Sequence, residues 1–244
     1  MRNMFLILFF CASLYAEKIN VFVASSASKA FLQIKDEFLK QNKNDDIELT
    51  FGASGKHYHL LKKGREFDMF FSADTKYAKQ IYNDNLALTK PKVYALGILA
   101  LYSLNEDYVK NGLKYLSNEN IKHISIANPK LAPYGAISVE ILKNANLYDK
   151  VEDKLVIGDN ISAPVTYVDT KASEVGMVAY SLVSPINNPK GKAVLIDKSL
   201  YTPLKQSFVI TKYAKDKNLT NKFADFVLSS KGKEILKKYG FGVE

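Results

Sequence analysis

Residues 19–28 read Ile-Asn-Val-Phe-Val-Ala-Ser-Ser-Ala-Ser, a short β-branched and aromatic run that stops at serines. Such a run has the composition of a strand. Beyond it, Phe31, Ile34, Phe38 and Leu39 recur at helical spacing, so the serines mark a strand-to-helix junction. The unit then repeats. Ile47 to Phe51 is a second strand-like run, and Gly52-Ala53-Ser54-Gly55 opens a helical stretch reaching about Lys63. Phe67-Asp-Met-Phe-Phe-Ser72 is nearly continuous in apolar residues, as expected of a strand buried on both faces. Asp74 then stands at the N-cap of a helix carrying Tyr77, Ala78, Ile81 and Tyr82. Three β–α units in succession predict an α/β fold with a parallel sheet covered by helices.

Further along, Val93 to Tyr102 runs apolar with no helical break, which carries the chain into a second lobe. Ile124-Ser-Ile-Ala127 reads as a strand ending at the loop Asn128-Pro-Lys-Leu-Ala-Pro-Tyr-Gly135. A helix follows, with Ile137, Ile141, Leu142 and Ala145 on its apolar face. Ile161 begins another helical stretch, and Val175–Ala179, Lys192–Ile196 and Ser207–Thr211 read as strands. Leu219 to Tyr239 reads as two amphipathic helices joined at Ser229-Ser230-Lys231-Gly232. No internal repeat or low-complexity linker interrupts this pattern, which suits two lobes joined by crossover strands.

The first sixteen residues read as a secretory signal: Arg2 is charged, Met4 to Ala12 is apolar, and Leu14-Tyr15-Ala16 offers a cleavage site before Glu17. The apolar run is too short to span a bilayer. Phe10 before Cys11 fits a lipoprotein cleavage site badly, so a lipid anchor is not expected. Cys11 is the only cysteine; a processed chain has no disulfide, thiolate metal site or thiol nucleophile. What remains, about 228 residues, suffices for one large domain or two lobes with real cores. The formal net charge is +9. Its lysines, such as Lys29, Lys35, Lys40 and Lys43, are spread over helical faces without interleaved aromatics, which reads as solvated surface and not as a nucleic-acid stripe.

Three segments gather the chemistry: Ala24-Ser25-Ser26-Ala27-Ser28, Phe51-Gly52-Ala53-Ser54-Gly55, and the Asn128–Gly135 loop. Each follows a strand-like run and opens a helix. Helix N-termini carry unpaired N–H groups and a favourable dipole, so an anion can be held there without a charged side chain. An N-cap role for Ser26 or Ser28 is the plainer reading of the first turn, and it uses the same N–H groups. Gly52–Lys56 is not a nucleotide loop, since Thr50 stands where the leading glycine belongs and His57 where Ser or Thr should follow the lysine. His57, His59 and His123 lack zinc spacing and read as surface histidines. No serine sits in a Gly-x-Ser-x-Gly elbow, and Asp74 reads as a cap in preference to pairing with Asp68 as a carboxylate dyad.

Val21-Phe-Val-Ala-Ser-Ser26, Phe51-Gly-Ala-Ser54, Phe67-Asp-Met-Phe-Phe-Ser-Ala-Asp74, Asn128-Pro129…Ala132-Pro-Tyr-Gly135, Gly176-Met-Val-Ala179 and Tyr239-Gly-Phe241 occur in an order that resembles the molybdate-binding proteins of bacterial ABC transporters. These lie within the type II periplasmic solute-binding proteins. The resemblance implies a two-lobed fold, each lobe a mostly parallel sheet flanked by helices, with two crossovers. It divides the chain into a signal peptide (1–16), a first lobe (17–94 and 206–244) and a second lobe (95–205). By position it implies that Ser26 and Ser54 donate hydroxyl and backbone N–H groups to an oxyanion, and that Tyr134 and Ile161 donate backbone N–H groups. A tyrosine that some relatives add aligns with Ala179; here Tyr180 comes one residue later, and that offset turns it away.

The resemblance further implies a periplasmic monomer that binds molybdate or tungstate without a cofactor. Any metal is held only as its oxyanion. The partner is an inner-membrane ABC permease with a cytoplasmic ATPase, and the chain is not expected to be an enzyme. A fully deprotonated tetrahedral dianion has only acceptor oxygens, so a site built of donors alone suits it, whereas a carboxylate would suit a protonated oxyanion. Cavity size then separates molybdate from sulfate, and hinge closure presents the loaded form to the transporter. The same fold tuned to sulfate, phosphate or ferric iron is the nearest alternative, although no adjacent tyrosine pair is present for iron. An exported phosphoester-processing enzyme is the alternative from another class.

Overall fold

The computed structural model describes residues 16–243; the expected signal segment and Cys11 lie outside the described residues, Ala16 excepted. β1 (Lys18–Ala24) passes through a 3-10 turn at Ser25–Ala27 into α1 (Ser28–Gln41). β2 (Asp46–Gly52), α2 (Ser54–Lys62), β3 (Met69–Ser72), α3 (Thr75–Asn83) and β4 (Lys92–Gly97) follow. Past Ile98 come β5 (Leu99–Ser103), α4 (Asp107–Lys110), β6 (Ile124–Ala127), α5 (Pro133–Asn144), α6 (Tyr148–Val151) and β7 (Leu155–Gly158). Next are α7 (Ser162–Asp169), β8 (Val175–Ala179), α8 (Tyr180–Val183) and β9 (Lys192–Leu195). β10 (Leu204–Ile210), α9 (Leu219–Leu228) and α10 (Ser230–Lys238) complete the chain.

The strands form two five-stranded sheets, ordered β2-β1-β3-β10-β4 and β7-β6-β8-β5-β9. Each sheet is parallel at one end, in β2-β1-β3 and β7-β6-β8. The other end is antiparallel, because the strand that enters after a crossover (β10 or β5) runs against both neighbours. Both sheets are therefore mixed. The expected lobe boundaries at 94/95 and 205/206 fall inside β4 and β10, which belong wholly to the first sheet. The chain changes sheets at Ile98 and again between β9 and β10; a lone isoleucine inside an apolar run gives no turn signal to mark the first change.

Strand alternation explains why the first sheet is covered on both faces. Phe22, Phe70 and Val209 point to one side, where they meet Phe67, Tyr77 and Ile81. Val21, Val23, Met69, Phe71, Phe208 and Ile210 point to the other. There α1 supplies Phe31, Ile34 and Phe38, with Phe31 edge-on to Phe71 at 4.7 Å and Phe38 edge-on to Phe223 of α9 at 5.3 Å. Each such fully buried ring contributes about 1.5–3 kcal/mol. Asp74 caps α3 by accepting from the Tyr77 amide, as its position predicts, and Ser229 caps α10 by accepting from Gly232. A further polar anchor is Lys217, whose ammonium lies 2.8 Å from the buried Asp68 carboxylate. That carboxylate also accepts from the Asn20 amide at 2.7 Å.

Candidate oxyanion site

The parallel register places the serine turns side by side. Ala24 pairs with Gly52 at the carboxyl ends of β1 and β2, so the turns at Ser26 and Ser54 leave adjacent strands. In the second lobe Ala127 pairs with Gly158, so the loops leading to Tyr134 and Ile161 are likewise neighbours. Carboxyl ends of parallel strands are where open α/β sheets bind ligands. Here two such edges face one another. Gly55 donates its amide to the Leu131 carbonyl across the lobes at 2.8 Å. Tyr77 donates its hydroxyl to the Lys130 carbonyl at 3.3 Å, and Ser181 donates to the Ser26 carbonyl at 2.6 Å.

These contacts hold the cleft closed. Ala24, Ala53 and Ala73 of the first lobe share one apolar cluster with Ala132, Tyr134 and Ile161 of the second. The four residues singled out from the sequence are all sealed from solvent: Ser26 at 1%, Ser54 at 0%, Tyr134 at 1% and Ile161 at 4% exposure. Small residues at the tips allow this approach. At Gly55 a Cβ would lie 2.8 Å from the Leu131 carbonyl oxygen and 2.4 Å from the Tyr77 hydroxyl.

The helix starts at this seam lack side-chain caps. Neither Ser26 nor Ser28 caps α1, whose N-cap is Ala27; α2, α5 and α7 begin at Ala53, Ala132 and Ile161, again without a side-chain cap bond. Capping by Ser26, the plainer expectation, is thus replaced by a 3-10 turn that leaves its hydroxyl elsewhere. Asn160 takes the Ser162 amide at 2.8 Å but not that of Ile161. Among the described residues, the amides of Ser26, Ser54, Tyr134 and Ile161 find no acceptor in the protein. Buried amides are almost always paired, so four unpaired ones around one seam form a built set of donors.

The seryl hydroxyls lie at the same seam. Ser54 Oγ accepts from the Ala73 amide at 3.0 Å, which leaves the seryl proton free to donate. Ser26 Oγ lies 3.4 Å from Nε2 and 3.5 Å from Oε1 of Gln206, a fully buried residue of β10. The Gln206 Oε1 accepts from Tyr94 at 2.8 Å, and Nε2 donates to the Tyr134 hydroxyl at 3.0 Å. Burial pushes the Tyr134 hydroxyl above its ordinary pKa, against the pull of Ser26, Gln206 and Ser181, so it stays a neutral donor. Gly97 makes room for this junction: a Cβ there would meet the Tyr134 hydroxyl at 2.5 Å.

Sequence reasoning did not find Gln206, Tyr94 or Ser181. Gln206 is a lone amide in a strand that reads Leu-Lys-Gln-Ser-Phe, and no local pattern distinguishes it from a solvent-facing polar residue. Tyr134 was expected to act through its backbone alone; its side chain is also part of the network. Tyr180 opens α8, gives its amide to the Ile98 carbonyl at 2.9 Å and lays its ring against Gly240. His57 is not a surface histidine. It is 8% exposed and stacks on Phe22 at 4.2 Å, and its Nδ1 donates to the Ala53 carbonyl at 3.1 Å. Burial lowers its pKa. The reason is helical: His57 follows Ser54 by three residues and turns inward with Tyr58 and Leu61. His59 and His123 are exposed.

The sequence profile of the bacterial extracellular solute-binding proteins matches residues 19–242. The molybdate-binding protein ModA of Rhodobacter capsulatus is 33% identical over 199 residues, covering 81% of this chain and 78% of its own. ModA of Azotobacter vinelandii is 31% identical over 236 residues, covering 96% and 93%. The solved structure of the Azotobacter vinelandii periplasmic molybdate-binding protein superposes with a TM-score of 0.87 at 27% identity, over 93% of this chain and 99% of that one.

Proposed function

This chain belongs to the bacterial extracellular solute-binding proteins, and we propose that it binds molybdate, with tungstate as an alternative ligand, and delivers the anion to an ABC transporter. The two ModA relatives at 33% and 31% identity support that ligand. The observation that carries the reading is the set of four buried amides without acceptors, at Ser26, Ser54, Tyr134 and Ile161, accompanied by two seryl hydroxyls. A dianion with four acceptor oxygens satisfies such a set; a metal cation, which needs acceptors, does not. Charge comes from the amide dipoles at the helix starts, so no lysine or arginine is required inside.

Binding and release proceed by lobe motion. The anion enters between separated lobes, meets Ser26 and Ser54 on one side, and draws in Tyr134 and Ile161 on closure. The closed form is the one an inner-membrane permease with its cytoplasmic ATPase recognises. The setting is the periplasm and the working unit a monomer. Sulfate carries the same charge and shape in a smaller body, so selection rests on the size of the closed cavity.

Calorimetric titration of the ligand-free protein with molybdate, tungstate, sulfate and phosphate tests this directly. One-to-one binding of the first two, with none of the others, is expected. Heat with sulfate or phosphate alone would keep the fold and overturn the ligand. Silence with all four would return the phosphoester-processing alternative to consideration.

A further inference from the structure

Tyr94 and Tyr134 set the orientation of the Gln206 amide, and Ser26 Oγ lies within reach of both its Nε2 (3.4 Å) and its Oε1 (3.5 Å). Tyr94 on β4 donates to Oε1 at 2.8 Å, so the amide oxygen is occupied from behind. Nε2 then donates forward, to the Tyr134 hydroxyl at 3.0 Å and towards Ser26 Oγ at 3.4 Å. A hydroxyl that accepts such a proton keeps its own for another acceptor. Gln206 is wholly buried on β10 of the first sheet, and its amide reaches one anion-binding candidate from each lobe, Ser26 and Tyr134. No charged side chain is among its hydrogen-bond partners.

We propose that Gln206 is a positioning residue for the anion site, whose amide fixes Ser26 and Tyr134 as proton donors and so selects an oxyanion that carries no proton of its own. This rests on the oxyanion function proposed above. The selection follows from direction: with both hydroxyls committed to donating, a protonated oxyanion brings a donor to a site that offers it no acceptor. A carboxylate at position 206 would reverse that. It would draw both hydroxyl protons to itself and set a negative charge beside the dianion. The titratable groups facing position 206 are Tyr94 from β4 and Tyr134 from α5, both pushed up by burial and neutral over the range tested. Tyr201 lies near Tyr134, and its hydroxyl too is raised by burial. Asp74 accepts from the Ser72 hydroxyl, and Tyr94 approaches the Ser72 carbonyl at 3.5 Å.

The test compares wild type, Gln206→Glu and Gln206→Leu by molybdate titration between pH 6 and 9, with ligand-free melting of each. Wild type and Gln206→Leu should bind with a flat pH profile, the leucine variant about tenfold weaker. Gln206→Glu should lose affinity as pH rises, by up to tenfold per unit as one proton is lost, and at least tenfold overall. Binding by Gln206→Glu within threefold of wild type at pH 9 would overturn the proposal. Equal, pH-independent weakening of both variants would make Gln206 a packing residue and overturn it as well. Failure of wild type to bind molybdate is a separate result, and it would sink the functional reading with the inference built on it.

Discussion

Replacing Gly55 by alanine should separate closure from folding. A Cβ at this position would lie 2.8 Å from the Leu131 carbonyl oxygen of the opposite lobe and 2.4 Å from the Tyr77 hydroxyl. The hydroxyl is the far end of a side chain and can swing aside. The carbonyl is backbone, and only parting the lobes relieves that contact. Overpacking of this kind costs about 1–3 kcal/mol. Loss of the 2.8 Å bond from the Gly55 amide to Leu131 adds about 1 kcal/mol. Both penalties fall on the closed form alone. A closed-form penalty of about 2–4 kcal/mol weakens apparent affinity about 30- to 1,000-fold, because binding draws on the closed population. In the open form the same change removes a glycine from a helix, worth up to about 0.5–1 kcal/mol of added stability. Ligand-free melting should therefore hold or rise slightly while molybdate affinity falls. Calorimetry and thermal melting of the same preparation read both quantities. An affinity within threefold of wild type would refute the claim that the lobes must meet here to retain the anion.

Ser54→Ala removes the acceptor of the buried Ala73 amide, so it should cost about 1–3 kcal/mol of stability and weaken anion binding tenfold or more; melting and titration check the two effects. Lys217→Met leaves the Asp68 carboxylate buried at 3% exposure without its partner. It should destabilise by about 3 kcal/mol in urea without changing anion affinity, and adding Asp68→Asn should restore most of the loss. His57 gives a pH signature, because burial lowers its folded-state pKa. The unfolded chain then binds more protons than the folded one as pH falls through the ordinary histidine value, about 6.5, so this stability is present above that value and lost below it. The drop in melting temperature from pH 7.5 to 5 should accordingly be smaller in His57→Gln.

The strands and helices of the first lobe were legible because each carries a single dominant signal. β3 is buried at all four positions and reads as an unbroken apolar run. α1 buries a stripe at helical spacing, and Asp74 announces the helix it caps. β7 escaped notice for the opposite reason. It is an edge strand with Leu155 and Val156 half-buried and Ile157 at 46% exposure, so neither alternation nor a buried run marks it. Ser26, Ser54, Tyr134 and Ile161 could be named in advance because backbone donors at helix starts follow from local turn chemistry. Gln206 could not, since its partners are distant in sequence: Ser26 and Tyr94 meet it only when the first sheet assembles, and Tyr134 only when the lobes close. The burial of His57 is likewise tertiary: Phe22, on a neighbouring strand, supplies the face on which it stacks.

The strand order fixes a sequence of assembly. β10 sits between β3 and β4 in the interior of the first sheet, although it is the last strand to be synthesised. Until it arrives, β3 lacks a neighbour on one side and β4 has none, and such open edges invite pairing with other chains. The second sheet is drawn from one uninterrupted stretch, Leu99 to Leu195, and can close first. A chain made from its N-terminus therefore completes its second lobe before its first. The first lobe waits for the final strand to slot into its centre, a long-range pairing of the kind that sets a slow folding step.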